Sequence, residues 1–274
     1  MFLINGKSGS SISVEDRGLH YGDGVFTTMA VENGGPPLCL FRHIARLQHD
    51  CDSLELPVPD ISTLHDEINT VSKKINKGVV KIILTRGSGE RGYRFPKPTN
   101  TTRIIADYPW PVYPSTHVTD GIKLFICNRM MGINPELAGI KHLNRMEQIL
   151  ARNEWDNNDY AEGLVINING HVIEGTMSNL FIIRGNGLIT PDLKNGGIEG
   201  IIRNLIIEKS RDFNMEAQIQ NISLDDVLKA DEVFVCNSII GVWPVREIGN
   251  RTYSDRQRTE KIRSFLLSNN FITE

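Results

Sequence analysis

The stretch from residue 108 to 120 constrains the fold most, because it separates two differently patterned parts of the chain. It contains three prolines and shows neither helical nor strand periodicity, which is typical of a linker between compact units. A chain of 274 residues is long enough for two modest domains that each bury a core. We therefore predict a small N-terminal α+β domain over 1–108, a linker over 109–120 and a larger C-terminal domain over 121–274.

Strand and helix patterns alternate before the linker. Residues 25–31 are apolar and β-branched, which predicts a strand, and apolar residues spaced by three and four predict an amphipathic helix over 41–54. A second helix is predicted over 62–75. Buried strands are predicted over 79–84 and 102–106.

Hairpin patterns dominate after the linker. Two Asn-Gly dipeptides, Asn169-Gly170 and Asn186-Gly187, lie between apolar runs, and this dipeptide accepts the positive φ angles of a tight hairpin turn. The flanking runs predict strands over 164–168, 172–175, 180–184 and 188–190. Further helices are predicted near 143–157, 200–213 and 255–269.

Composition and charge exclude several classes of partner. The net charge is −3 and the 30 basic residues are spread along the chain, so we expect no nucleic acid or anionic membrane as partner. The apolar start is too short for a signal peptide, and no apolar run reaches the roughly 18 residues of a membrane span. The four cysteines are isolated and the histidines form no metal motif, so we expect no metal and a soluble cytosolic protein.

A glycine-rich segment, Gly87-Ser-Gly-Glu-Arg-Gly92, matches the spacing of a dinucleotide-binding loop. That site needs a helix to begin at the loop, and the following Tyr-Arg-Phe-Pro-Lys-Pro run cannot form one. A loop carrying Arg86, Arg91 and Arg94 fits better, either as a solvated basic loop or as a carboxylate-binding one.

Two ionisable residues lie among apolar neighbours. Lys141 precedes a predicted helix, where it is either a surface lysine or a desolvated amine suited to Schiff-base chemistry. Glu174 ends a predicted strand, and a buried carboxylate there needs a partner, either an arginine or a protonated ring nitrogen.

Three further segments could bind an anion. Arg46 lies on the first predicted helix and by itself would be called solvent-exposed. A glycine turn at 197–200 introduces a helix, whose first N–H groups can bind phosphate. Ser238 ends another strand with a hydroxyl that could do the same.

Taken in order, these segments resemble the fold-type-IV pyridoxal 5'-phosphate (PLP) enzymes, which include branched-chain and D-amino-acid aminotransferases and aminodeoxychorismate lyases. The resemblance implies a small α+β domain, a larger β-barrel-like domain, PLP in the cleft between them, and a homodimer. It rests on Tyr21-Gly-Asp-Gly-Val-Phe26, His43-x-x-Arg46-Leu47, Arg86-Gly87, Lys141, Glu174, Asn179-Leu-Phe181, Gly200-Ile-Ile-Arg203 and Cys236-Asn-Ser238.

The resemblance also implies roles for individual residues. Lys141 would be the Schiff-base lysine and proton-transfer base, and Glu174 would face the pyridine nitrogen. The remaining cofactor contacts would come from Arg46, Ser178, Asn179, the backbone of Ile201 and Ile202, and Ser238. Substrate contacts would come from Arg86, Arg91, Tyr93, Asn144 and Arg145.

Within the family the sequence is most similar to the lyases that convert 4-amino-4-deoxychorismate to 4-aminobenzoate and pyruvate. Thr27 stands where aminotransferases often have glutamate, Met146 where branched-chain enzymes have tyrosine, and Ile202 where they have threonine. The resemblance thus implies a lyase. An aminotransferase for D-amino or branched-chain acids is the main alternative, and a non-catalytic PLP-binding protein is another.

Overall fold

The computed structural model describes every residue from Met1 to Glu274, and the chain divides into two compact units. The first comprises residues 1–112 and 140–144, and the second comprises 113–139 and 145–274. The division after residue 112 falls inside the predicted linker. The segment 140–144 differs from the prediction, because it belongs to the first unit rather than to the C-terminal domain.

The first unit is built on an antiparallel five-stranded sheet with the order β2-β1-β5-β4-β3. Strands β3 and β4 pair along their whole length, from Gly24 with Thr85 to Glu32 with Lys77. The strands are β1 (Phe2–Ile4), β2 (Lys7–Ser8), β3 (Gly24–Glu32), β4 (Lys77–Thr85) and β5 (Thr102–Pro109).

Helices α1 (Arg17–Tyr21), α2 (Leu40–Ser53) and α3 (Ile61–Ser72) complete this unit. The predicted apolar spacing of α2 holds, since Ile44, Leu47 and Cys51 are buried in the core together with sheet residues such as Met29 and Ile82. This packing of two amphipathic helices on the sheet is the main source of burial in the unit.

The segment 140–144 extends the sheet beyond β3. The Phe26 N–H donates to the Lys141 carbonyl at 3.0 Å, and the Leu143 N–H donates to the Gly24 carbonyl at 2.9 Å. A side chain at position 24 would be excluded, because its Cβ would lie 2.2 Å from the Leu84 carbonyl oxygen. Strand edges present unpaired N–H and C=O groups, and here the edge of β3 orders the lysine-bearing segment.

The second unit is built on a ten-stranded sheet with the order β11-β10-β9-β13-β14-β6-β7-β8-β12, with β15 added to β14. Only Asn221 separates the two end strands β11 and β12, so the sheet curls until its ends meet, as expected for a barrel-like domain. The strands are β6 (Ile122–Ile126), β7 (Glu162–Ile166), β8 (His171–Gly175), β9 (Asn179–Arg184), β10 (Gly187–Pro191), β11 (Glu216–Gln220), β12 (Ile222–Ser223), β13 (Glu232–Asn237), β14 (Gly241–Ile248) and β15 (Arg251–Thr252).

Both Asn-Gly hairpins are present, as β7–β8 and β9–β10. The helix predicted over 143–157 is confined to 146–152, because the residues before it pair with β3. The helix predicted over 200–213 ends at residue 208 and continues as a 3₁₀ turn. The helices are α4 (Thr116–Thr119), which lies in the predicted linker, α5 (Met146–Arg152), α6 (Ile201–Glu208), α7 (Leu224–Leu228) and α8 (Gln257–Ser268).

None of these helices combines the length and the apolar character that crossing a lipid bilayer requires.

Candidate active site

Lys141 is held by its backbone on two sides. Its carbonyl accepts from Phe26, and its N–H donates to the Asp50 carboxylate at 3.2 Å. The ammonium nitrogen lies 4.4 Å from the centroid of the Phe26 ring, within the range of a cation–π contact. The main chain and the side chain of this lysine therefore have defined positions in the first unit.

Buried, hydrogen-bonded polar side chains connect β3 to α2, and together they are called the buried polar chain. The Thr27 hydroxyl lies 2.7 Å from His43 Nδ1, and an Arg46 N–H donates to the same hydroxyl at 2.6 Å. Burial, with the charges of Arg46 and Lys141 adding to it, holds the pKa of His43 well below its usual 6.5. The imidazole is therefore neutral at neutral pH.

Asp50 is a functional candidate that the sequence did not reveal. It lies one helical turn after Arg46 on α2, with 4.0 Å between its carboxylate and Arg46 Nε, and it is 1% exposed. Burial raises its pKa, and the nearby Arg46 charge opposes that rise. Asp50 thus contacts both the predicted cofactor lysine and the predicted phosphate arginine.

Glu174 lies at the end of β8 in the second unit and is 3% exposed. Its Oε2 accepts from the Ile198 N–H at 2.9 Å, and Gln148 Nε2 lies 3.4 Å from Oε1. Gly197 allows this close approach, since it has φ +88° and its Cβ would lie 2.8 Å from Ile173 Cγ2. The carboxylate is therefore fixed in orientation.

The turn that follows Glu174 is organised by Glu162, another residue that the sequence did not reveal. The Glu162 carboxylate accepts from the Thr176 N–H and hydroxyl at 2.9 and 2.5 Å, and from the Met177 N–H at 3.1 Å. The Ser178 hydroxyl also donates to it, at 2.7 Å. Since this hydroxyl is used within the protein, a direct cofactor contact from Ser178 stays a prediction.

The Asn179 amide holds the start of α6. Its Nδ2 donates to the Ile198 carbonyl at 2.8 Å, and its Oδ1 accepts from the Gly200 N–H at 3.1 Å. Gly200 is the N-cap of α6, and no side chain caps the helix there. The first N–H groups of the helix, on Ile201 and Ile202, are thus presented to an anion.

Ser238 lies in a turn fixed by its neighbour. The Asn237 side chain accepts from the N–H groups of Ile239 and Ile240 at 2.7 and 2.9 Å, and donates to the Met177 carbonyl at 3.0 Å. Asn237 therefore connects the turn that contains Ser238 to the turn at residues 176–178, which Glu162 holds. Asn237 and Asn179 together bring three of the predicted cofactor-binding segments to one place in the second unit.

Arg86 has several hydrogen-bond partners within the first unit. Its guanidinium is 2% exposed and donates to Asp23 at 2.9 and 3.0 Å, and to the carbonyls of Leu54 and Glu55 at 2.7 Å each. The guanidinium carbon of Arg86 lies 3.6 Å from the centroid of the Phe95 ring. Because these partners use the guanidinium within the protein, a direct substrate contact from Arg86 stays a prediction.

The other predicted substrate residues are more accessible. Arg91 and Tyr93 are exposed in the 86–94 loop, with Tyr93 at 85%. Asn144 is exposed in the first unit, and its amide donates to the Gly22 carbonyl at 3.3 Å. Arg145, in the second unit, is half-buried, and desolvation lowers its pKa against the opposing charges of Glu174 and Glu147.

Comparisons with known proteins identify the family of this chain. The model of the class IV amino-transferase family matches residues 24–248. The aminodeoxychorismate lyase of Vibrio harveyi is 34% identical over 248 residues, covering 90% of this chain and 91% of that protein. The crystal structure of 4-amino-4-deoxychorismate lyase from Pseudomonas aeruginosa has a TM-score of 0.95 and 38% identity, covering 99% of this chain and 100% of that one. The branched-chain-amino-acid aminotransferase of Escherichia coli K12 is 27% identical, covering 87% of this chain and 80% of that protein.

The chain belongs to the class IV aminotransferase family, which is the fold-type-IV family expected from the sequence. The cofactor of this family is PLP, and the residues present suit it. In the first unit, Arg46 Nε is a buried N–H with no hydrogen-bond partner. In the second unit, the uncapped start of α6 presents N–H groups of the kind that bind phosphate. The buried Glu174 carboxylate is the acceptor that a protonated pyridine nitrogen requires.

Replacing His43 with asparagine tests the buried polar chain. Because the folded pKa of His43 is depressed, the folded state binds fewer protons than the unfolded state below about pH 6.5, and stability is lost as the pH falls. Asparagine can still contact Thr27 but does not titrate. We expect the stability advantage of the wild type over the variant to shrink below pH 6.5, by up to about 1.4 kcal/mol per pH unit.

Urea denaturation of both proteins at several pH values measures this advantage. A difference in unfolding free energy that stays constant with pH would contradict a buried neutral His43.

Proposed function

We propose that this chain is a PLP-dependent lyase that converts 4-amino-4-deoxychorismate to 4-aminobenzoate and pyruvate. The observation that carries the proposal is the match along nearly the whole chain to a lyase of that activity, with a TM-score of 0.95 at 38% identity. The aminotransferase relatives are less similar, at 27% identity or below in sequence. Thr27 supports the same choice, because aminotransferases of the family often carry glutamate there.

In this proposal the cofactor is bound by the residues that the family resemblance implies. Lys141 would hold the aldehyde carbon, and Glu174 would keep the ring nitrogen protonated. Arg46, the N–H groups of Ile201 and Ile202, and the Ser238 hydroxyl bind the phosphate. When bound, PLP supplies an electron sink conjugated to the substrate amine.

Lys141 also acts as the base. Its amine, once the substrate amine has released it, takes the proton from the ring carbon that bears the substrate amine, and the enolpyruvyl C–O bond on the neighbouring carbon breaks. Loss of the proton and of the enolpyruvyl group makes the ring aromatic, which favours the elimination. The released enolpyruvate takes up a proton and becomes pyruvate. The substrate carries two carboxylates, for which Arg91, Tyr93, Asn144 and Arg145 are the proposed contacts.

A pair of assays tests the activity. The purified protein is supplied with 4-amino-4-deoxychorismate and PLP, and 4-aminobenzoate is measured; in parallel, D-alanine and 2-oxoglutarate are supplied and glutamate is measured. We expect 4-aminobenzoate to form, and Lys141→Ala to abolish it because the base is lost. Glutamate without 4-aminobenzoate would instead identify an aminotransferase. PLP binding with no turnover of 4-amino-4-deoxychorismate, D-alanine or a branched-chain amino acid would indicate a non-catalytic protein.

Replacing Glu174 with glutamine tests the ring-nitrogen role. Glutamine keeps the size and can still accept from Ile198, so PLP should still bind, while the electron sink weakens with the lost charge. We expect kcat to fall roughly 100-fold, equivalent to about 2.7 kcal/mol. Glu136→Gln, an exposed glutamate of the same unit, is the matched control. Equal kcat values for Glu174→Gln and the wild type would exclude the role.

We further propose a homodimer acting in the cytoplasm. Met146, Ile149 and Leu150 of α5 are 63%, 52% and 40% exposed, and an apolar helix face of this kind favours burial against another protein surface. The four cysteines are unpaired, as is usual in a reducing compartment. Sedimentation equilibrium should give about twice the 30.8 kDa chain mass. A mass of one chain at micromolar concentration would contradict the dimer.

A further inference from the structure

We propose that Arg17 is a positioning residue for substrate recognition, which holds the backbone of residues 91–93 so that Arg91 and Tyr93 meet a substrate carboxylate. Arg17 lies on α1 and is 3% exposed. No cofactor or substrate contact is assigned to it. The inference rests on the proposed function for the identity of the substrate, but the contacts that carry it are independent of that function.

The Arg17 guanidinium joins the loop to the body of the first unit. One N–H donates to the Gly92 carbonyl at 2.8 Å and another to the Tyr93 carbonyl at 3.3 Å. Its Nε donates to the Asp23 carboxylate at 2.8 Å, and Asp23 is also the partner of Arg86. Because a guanidinium is planar with donors in fixed directions, the Asp23 contact sets the direction of the two N–H groups that reach the loop.

The loop wraps closely around the Arg17 stem. The Arg17 N–H donates to the Gly87 carbonyl at 2.9 Å, so the loop is tied to α1 where it leaves β4. At position 89 a Cβ would lie 3.3 Å from Arg17 Cδ, which indicates contact between the stem and the loop backbone. Arg17 therefore contacts the loop at its start and along its backbone, and again at the two carbonyls near its end.

Tyr21 adds a second restraint on the same peptide. Its hydroxyl accepts from the Gly92 N–H at 3.1 Å, and the Arg17 guanidinium lies 4.9 Å from its ring centroid. The ring of Tyr93 packs edge-on to that of Tyr21, with 5.6 Å between centroids. Both polar groups of Gly92 are therefore held by α1.

Gly92 is the point at which the loop would otherwise move. It has φ +117°, and a Cβ at this position would have no atom within 4 Å, so packing does not restrain it. The neighbouring Arg91 and Tyr93 side chains are exposed. Their direction therefore depends on the hydrogen bonds to Gly92 and Tyr93, most of which come from Arg17.

Arg17→Lys in the PLP-loaded enzyme tests the proposal. Lysine keeps the charge and can still pair with Asp23, but a single ammonium cannot also reach both carbonyls in the guanidinium geometry. We expect KM for 4-amino-4-deoxychorismate to rise roughly tenfold with kcat within about twofold, and PLP absorbance to be unchanged. An unchanged KM, or a fall in kcat alone, would overturn the proposal.

A double-mutant cycle with Arg91→Gln separates positioning from a general structural effect. If Arg17 acts through Arg91, then adding Arg17→Lys to Arg91→Gln should raise KM much less than it does in the wild type. Effects of the two substitutions that simply multiply would contradict the proposal. Arg211→Lys, an exposed arginine of the 3₁₀ turn, is the matched control and should leave KM unchanged.

Limited trypsin digestion measures how often the loop opens, and it does not depend on enzyme turnover. Arg17→Lys should speed cleavage after Arg91 and Arg94 roughly tenfold, because the loop opens more often; equal cleavage rates would overturn the positioning role. This assay tests whether Arg17 holds the loop even if the wild type releases no 4-aminobenzoate. Absence of 4-aminobenzoate would reject the proposed function and not the positioning role. If Arg17→Lys does not fold, Tyr21→Phe, which removes only the Gly92 contact, should raise the cleavage rate in the same direction.

Discussion

The backbone pairing between β3 and residues 140–144 is the constraint on which the candidate site depends. Two hydrogen bonds, from Phe26 to the Lys141 carbonyl and from Leu143 to the Gly24 carbonyl, attach this segment to the sheet edge. Each is worth only about 0.5–1.5 kcal/mol, yet together they define where the Lys141 side chain begins. The first unit can thus present a lysine that arrives in sequence after a long segment of the second unit, residues 113–139.

In the second unit, hydrogen bonds from buried side chains position the predicted cofactor-binding segments. Glu162 gathers the N–H and hydroxyl donors of residues 176–178, and Asn179 and Asn237 connect that turn to the start of α6 and to the Ser238 turn. A buried carboxylate is costly unless its oxygens are satisfied, so the turn and Glu162 stabilise each other. The predicted phosphate donors owe their placement to these side chains.

Local patterns in the sequence were sufficient for the elements that depend on local physics. The apolar spacing of α2 and the two Asn-Gly hairpins are present in the structure. Contacts between distant residues could not be predicted in this way. The transfer of 140–144 to the first unit depends on the edge of β3, and the burial of Arg86 depends on Asp23 and on carbonyls 31 and 32 residues away. Glu162 and Asp50 carry no motif, so only the fold identifies their partners.

The central claim is that Lys141 is the residue that holds PLP. Borohydride reduction of the PLP-loaded protein makes the bond between cofactor and lysine permanent, and peptide mapping by mass spectrometry then locates it. The account predicts a reduced pyridoxyl group on the peptide that contains Lys141 and on no other lysine. Labelling of a different lysine, or no labelling of a protein that binds PLP, would contradict it.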